Sequence, residues 1–313
     1  MHIPDGFLDA RTCAATYCAA GAGLALAVRR VTGRWSDRTV PLLGVMSAFV
    51  FAGQMVNFPI AAGTSGHLFG GVLAAVFLGP AGAALALATV LVIQCFLFQD
   101  GGVTALGANI LNMSLLGTTG GYFIYRFLRS WLAGPRGLIL ASAAGGWFSV
   151  VLAAAACSVE LALSGTVRLD MILPVMVVTH AVIGVAEAFI TAGVLAFVLK
   201  VRPDLLCERH PYLPAQSAGV GFAFGLAIMA AGLLLPFASS WPDGLEWVAG
   251  KLGFLPQQTA FWLAPFAEYR IPEVRPAWLA VSLAWILGTI LVFGITWGLA
   301  RWLRRSDSDS HVD

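Results

Sequence analysis

Five histidines are the first candidates for coordination chemistry in this chain of 313 residues: His2, His67, His180, His210 and His311. His210 falls in a polar linker and His311 in a polar tail, where both are expected to be solvated bystanders. His2 adjoins the first residue. With Met1 retained ahead of a bulky second residue and carrying a free amine, a divalent ion can take the amine, the deprotonated His2 amide nitrogen and His2 Nδ1. Those donors close fused five- and six-membered rings, which forces them into one plane and leaves one place in the square. An all-nitrogen square plane suits Ni(II) and Cu(II) and admits Co(II) less readily. Pro4 cannot donate a helix hydrogen bond, which keeps this segment out of a regular helix. Taken alone, an ordinary histidine near a chain start is the preferred reading.

His67 sits in Gly63-Thr64-Ser65-Gly66-His67-Leu68-Phe69-Gly70-Gly71, a small-residue run that lets another segment approach closely. It either fills the fourth place of the plane or satisfies backbone at the start of a span. His180 and Glu187 are seven apart and so share one helix face. They make a second metal site or, as the preferred reading, a structural polar pair bonding neighbouring helices. Asn109 and Asn112 are candidates to hold the non-coordinating nitrogen of a ligand histidine. Glu160 falls near the end of its span, within reach of the interface. The five cysteines form no C-x-x-C pair, and the four in apolar stretches read as small buried hydrophobes. A phosphate-cradling G-x-x-x-x-G-K-[ST], an H-E-x-x-H and a G-x-S-x-G are all missing, so neither an enzyme nor a resident cofactor is expected.

The elements that must position these groups follow from composition. The chain is 59% hydrophobic and 11% charged, against about 25% charged for an ordinary soluble domain. It cannot cover itself in water, and a net charge of +2 gives no footprint for nucleic acid. An all-α, polytopic membrane protein surrounded by lipid is expected. Apolar runs place spans at about 10–28, 41–57, 67–79, 82–98, 103–125, 138–162, 171–199, 216–237 and 277–300, each needing ~20 residues to cross. Of 18 basic residues, Arg29, Arg30, Arg34, Arg38, Arg126, Arg129, Arg136, Lys200, Arg202, Arg209, Arg301, Arg304 and Arg305 then share one side. Arg11, Arg168, Lys251, Arg270 and Arg275 share the other. The richer side is the cytoplasm. The N-terminus is therefore expected outside a plasma (inner) membrane, and the C-terminus inside. Residues 1–200 form a seven-span unit, 201–215 a cytoplasmic linker, 216–303 a two-span hairpin with an outer loop, and 304–313 a polar tail.

Four segments together resemble the CbiM/NikM family, the substrate-capture subunits of cobalt and nickel energy-coupling-factor transporters. They are Met1-His2-Ile3-Pro4-Asp5-Gly6-Phe7-Leu8, the run from Gly63 to Gly71, the stretch from Asp100-Gly101-Gly102 through Asn109 and Asn112 to Met113, and His180 to Glu187. The resemblance implies a metal held by the Met1 amine, the His2 amide and imidazole, and His67. It also implies a transmembrane coupling (T) subunit and two cytoplasmic ATPases as partners, with Ni2+ (favoured) or Co2+ as the transported ion. Trp241-Pro242-Asp243-Gly244-Leu245-Glu246, Leu252-Gly253-Phe254 and Ala264-Pro265-Phe266-Ala267-Glu268-Tyr269 look like a small PDGLE-type accessory subunit fused behind the capture unit. The last departs from the more usual S-P-L-A-D-Y. Accessory loops of this kind are associated with nickel more than cobalt. The competing reading is a stand-alone metal channel or exporter that uses His180 and Glu187 as a relay.

Overall fold

In a computed structural model of the chain, residues 1–32, 35, 39–60, 63–206, 239, 241–255 and 261–305 are described. Helices α1 (Ala10–Val31), α2 (Thr39–Gln54), α3 (Gly71–Ile93), α4 (Leu106–Asn109), α5 (Thr118–Arg129), α6 (Gly134–Leu163), α7 (Leu169–Val201), α8 (Gly244–Leu252) and α9 (Ala277–Arg305) account for most of them. The expected all-α class holds, apart from a two-residue antiparallel ladder that pairs Phe58–Pro59 with Ser65–Gly66. The span expected at 216–237, most of the linker, the tail from 306 onward, His210 and His311 lie outside the described residues.

Lipid has nothing to offer a polar group, so a membrane helix turns its polar side chains inward and its apolar ones outward. Helix α7 does this. Met176, His180, Ile183, Glu187 and Thr191 recur every three or four residues on its buried face, while Val178, Val182, Val185 and Phe189 are exposed. Among the described residues four helices are long and apolar enough to cross a bilayer: Gly71–Phe98, Gly134–Leu163, Leu169–Val201 and Ala277–Arg304.

The spans expected at 67–79 and 82–98 are one run, and its helix starts four residues after His67 rather than at it. A straight helix over the 28 residues Gly71–Phe98 would separate its ends by about 42 Å. Yet the segments flanking it, His67 at one end and Asp100 at the other, both contact the Met1-His2 terminus. The run therefore folds back on itself. The turn is at Gly79, whose φ of 72° and ψ of 165° suit glycine, followed by Pro80, which starts a new helical segment well. The first arm, Gly71 to Leu78, is only about 12 Å long, too short to cross a ~30 Å hydrocarbon core. It is buried among the other helices instead. The expected span at 103–125 is also continuous, but α4 and α5 are joined by a π-helical stretch, Ile110–Gly117.

Close helix approach rests on small residues. A Cβ at Gly121 of α5 would lie 2.7 Å from the Gly145 carbonyl of α6, and one at Gly145 would lie 2.6 Å from the Gly121 carbonyl. Helix α9 packs on α2 in the same way, with Gly44 against Phe293 and Gly288 against Phe51. The Gly121/Gly145 contact is testable. Gly121→Val must push the two backbones apart and should cost about 1–3 kcal/mol through overpacking. Gly193→Ala, with nothing within 4 Å of the added carbon, should be harmless. Thermal unfolding of the detergent-solubilised variants measures the difference.

Candidate metal centre

The chain begins as an extended, buried segment threaded into one end of the bundle. Met1 and His2 are 8% and 5% exposed, and Ile3 and Phe7 are almost wholly covered. Such a strand needs partners for its backbone groups, and helices cannot supply them from their own main chains. Asn109 does: its Oδ1 accepts from Ile3 N at 2.8 Å and its Nδ2 donates to Ile3 O at 3.1 Å. Gly102 N donates to the same carbonyl at 2.9 Å. A side chain at Gly102 would overlap the Asp5 backbone, so only glycine lets the two segments lie this close. Asp5 Oδ1 in turn accepts from Thr104 N and Thr104 Oγ1 at 2.8 and 2.6 Å.

His67 arrives from the other side, directly after the strand Ser65–Gly66. Its Nδ1 lies 2.9 Å from Leu68 O. A carbonyl only accepts, so Nδ1 carries the proton and Nε2 is left as a bare lone pair. That nitrogen is 2.9 Å from the Met1 terminal nitrogen. The His2 and His67 rings lie side by side, with centroids 5.2 Å apart and planes 24° apart. His2 Nδ1 meets Asp100 Oδ1 at 3.0 Å, and its Nε2 is buried with no hydrogen-bond partner. Chelation through Nδ1 therefore requires the ring to leave Asp100. The terminal nitrogen also lies 3.1 Å from Asp243 Oδ2.

The remaining candidates divide. Glu187 grips the loop that carries His67: Phe69 N donates to its Oε2 at 2.7 Å and Gly70 N to its Oε1 at 2.9 Å. Gly70 caps α3, so the carboxylate also sits where a helix N-terminus favours negative charge. His180 bonds Met176 O through Nδ1 at 2.9 Å. Its bare Nε2 is buried without a partner beside a cavity of about 20 Å³ lined by Met1, His67, Asp243 and Gly244 among others. His180 and Glu187 thus share a face, as expected, but each bonds backbone. Neither asparagine reaches an imidazole. Asn109 clamps Ile3 instead, and Asn112 Nδ2 donates to Glu160 Oε2 at 2.6 Å in a buried pair, which also takes Glu160 away from the interface. The carboxylate that does hold a histidine is Asp100. Its signal was the Asp-Gly-Gly triplet, an acid beside two residues that permit close backbone approach.

Electrostatics keep these groups ready for a cation. Burial, then the neighbouring ammonium and His2, hold the His67 imidazole well below its usual pKa, so it stays neutral. Burial pushes Asp243 upward, but the terminal ammonium outweighs it and the carboxyl lies below its usual range. At Asp100 burial is likewise overcome, there by His2 and the Tyr269 hydroxyl. Among the described residues no group of three or more His, Cys, Asp and Glu side chains has metal-ligand spacing. A site here needs main-chain nitrogens beside the two imidazoles.

Asn109 and Asn112 offer a direct check on what positions the terminal strand. Asn109→Ala removes both side-chain bonds to Ile3 and should weaken binding of the Ni2+ or Co2+ that the resemblance implies roughly 10- to 100-fold, the range for groups that orient ligands. Asn112→Ala should leave it within about twofold, since that residue bonds only Glu160. Calorimetric titration of the purified variants measures both.

Comparison with known proteins places this arrangement in a family. The family described as cobalt uptake substrate-specific transmembrane region (CbiM) matches residues 2–205, and the PDGLE domain matches residues 218–305. A putative fused nickel transport protein of Archaeoglobus fulgidus is 34% identical over 309 residues, covering 97% of this chain and 99% of that one. The fused nickel transport protein of Rhodobacter capsulatus is 30% identical over 346 residues, covering 98% and 100%. A crystal structure of a truncated transition metal transporter superimposes with a TM-score of 0.59 at 36% identity, over 64% of this chain and 99% of that one. The chain is therefore a membrane transport protein and not an enzyme: it belongs to the CbiM family of nickel and cobalt transport proteins, and carries a PDGLE domain behind the CbiM region.

Proposed function

We propose that the chain is the substrate-specific membrane subunit of an energy-coupling-factor importer. It captures Ni2+, or Co2+, at the Met1-His2-His67 centre and delivers the ion inwards with a transmembrane coupling subunit and two cytoplasmic ATPases. One observation carries this reading: the terminal nitrogen and His67 Nε2 are 2.9 Å apart. A metal–nitrogen bond of about 2.0 Å puts neighbouring donors in a square plane about 2.8 Å apart. The two nitrogens already stand at that spacing, and an ion replaces the proton between them. The His2 amide and Nδ1 complete the plane. Nickel is favoured over cobalt because relatives aligned over nearly this whole chain are nickel transport proteins by name. The distribution of basic residues supports the N-terminus and centre outside and the C-terminus in the cytoplasm. Residues 1–200 are the capture unit, 201–215 the linker, 216–303 the accessory hairpin and 304–313 the tail.

The channel reading asks His180 and Glu187 to act as a relay. Both Glu187 oxygens are engaged by backbone donors, which favours a structural role.

Two measurements test the chelate. Protons compete with the ion for the amine, the amide nitrogen and the His2 imidazole, while His67 Nε2 is already bare. Affinity should therefore fall steeply below about pH 6 as protonation takes back the donors. Titration at neutral pH should release protons with every ion bound; zero release excludes the deprotonated amide. The second test moves the terminus. Adding one glycine ahead of Met1 places histidine third, so that the amine, two amides and the imidazole close the plane alone. That protein should keep its nickel stoichiometry, become insensitive to His67→Ala and lose uptake when the partner subunits are present. Normal uptake would rule out the amine as a ligand.

A further inference from the structure

The PDGLE segment does not stand apart from the centre. Asp243 Oδ2 lies 3.1 Å from the terminal nitrogen. On the strand that leads to His67, Ser65 N donates to Pro242 O at 2.9 Å and Ser65 Oγ to Trp241 O at 2.7 Å. The Tyr269 hydroxyl donates to Asp100 Oδ2, on the carboxylate that holds His2. Phe261 N donates to Asp5 Oδ2 at 3.2 Å. Gly244 lies so close to the His180 ring that a Cβ there would stand 2.8 Å from Nε2. Groups from 241–244 and from 261–269 thus touch the amine, the His67 strand, the acid beside His2 and Asp5.

We propose that Asp243 is a positioning residue for the terminal amine, and that its loop is the lid that retains the ion in the centre. This rests on the chelate reading above. Asp243 has two tasks and uses one oxygen for each. Oδ1 accepts from Glu246 N at 2.8 Å and caps α8, while the Glu246 side chain returns to Asp243 N in a capping box. Oδ2 faces the amine. A metal-bound amine keeps two N–H groups, so one can still donate to Oδ2 while the lone pair lies in the plane. The carboxylate thereby fixes the direction of the lone pair and adds negative charge beside a divalent ion.

The two tasks separate by substitution. Asparagine and serine cap helices about as well as aspartate, but each offers a single side-chain oxygen, and the cap uses it. A purely structural role therefore predicts wild-type behaviour from Asp243→Asn and Asp243→Ser. The experiment loads the purified full-length chain and both variants with Ni(II). It measures metal content and the visible absorption of the planar ion, then follows release to excess EDTA. The expected result is unchanged stoichiometry and planar absorption, with nickel released at least tenfold faster from both variants and at the wild-type rate from Lys251→Ala in the same helix. Release from Asp243→Asn and Asp243→Ser within twofold of wild type overturns the lid. Wild-type protein that takes up no nickel overturns the chelate itself, so the two failures are distinct.

Discussion

An ammonium group cannot leave water without partners, and the terminal nitrogen of this chain has done so between an imidazole lone pair and a carboxylate. Holding it there requires a main-chain strand at a depth where the surrounding elements are helices. The architecture of this end of the bundle follows. Asn109 and Gly102 supply the backbone bonds that a neighbouring strand would otherwise give. Glu187 ties down the loop that brings the imidazole. A single residue added ahead of Met1 would move the terminal amine one place away from its imidazole and carboxylate partners.

Charge supports a preference of the proposed centre for divalent ions. With His2 neutral and its Nδ1 proton passing to the unpartnered Nε2, the proposed loaded state exchanges one proton of the ammonium and one of the amide for one ion. With a divalent ion, the formal charge enclosed with Asp100 and Asp243 does not change. A monovalent ion lowers it by one and a trivalent ion raises it by one, and uncompensated charge in a poorly solvated place is costly. The planar arrangement of nitrogens in the proposed centre would then favour Ni(II) and Cu(II) over Co(II).

Much of the helical frame was legible because lipid enforces a simple rule. Long apolar runs such as 138–162 and 171–199 correspond closely to α6 and α7. The reversal at Gly79 was also marked, by glycine followed by proline, although the shortness of its first arm was hidden in a run of apolar residues. His2 and His67 were legible because histidines are rare here and expensive in a membrane. What could not be read was the assignment of supporting groups. Asn109 and Asn112 differ by three positions in a stretch whose helix is partly π-helical, so a fixed helical period does not say which one faces the terminal strand. Asp100, Asp243 and Tyr269 come from loops, where no periodicity relates sequence position to direction. Only the folded chain shows that an acid 98 residues from His2 is its partner.

The reversal at Gly79 has a mechanical consequence. Both arms of α3 end at loops of the centre, one bearing His67 and the other Asp100, and both meet at a single tip. Near that tip Leu78 and Trp35 pack on a cluster that includes Val40 and Ala86, and Leu85 of the returning arm clusters with Leu303. The hairpin therefore joins both loops through one covalent element that reverses inside the bundle. A push at the tip acts on both loops through one covalent element and needs no chain of side-chain rearrangements to reach them. Glu187 joins the first of those loops to α7, so that helix is tied to the same element.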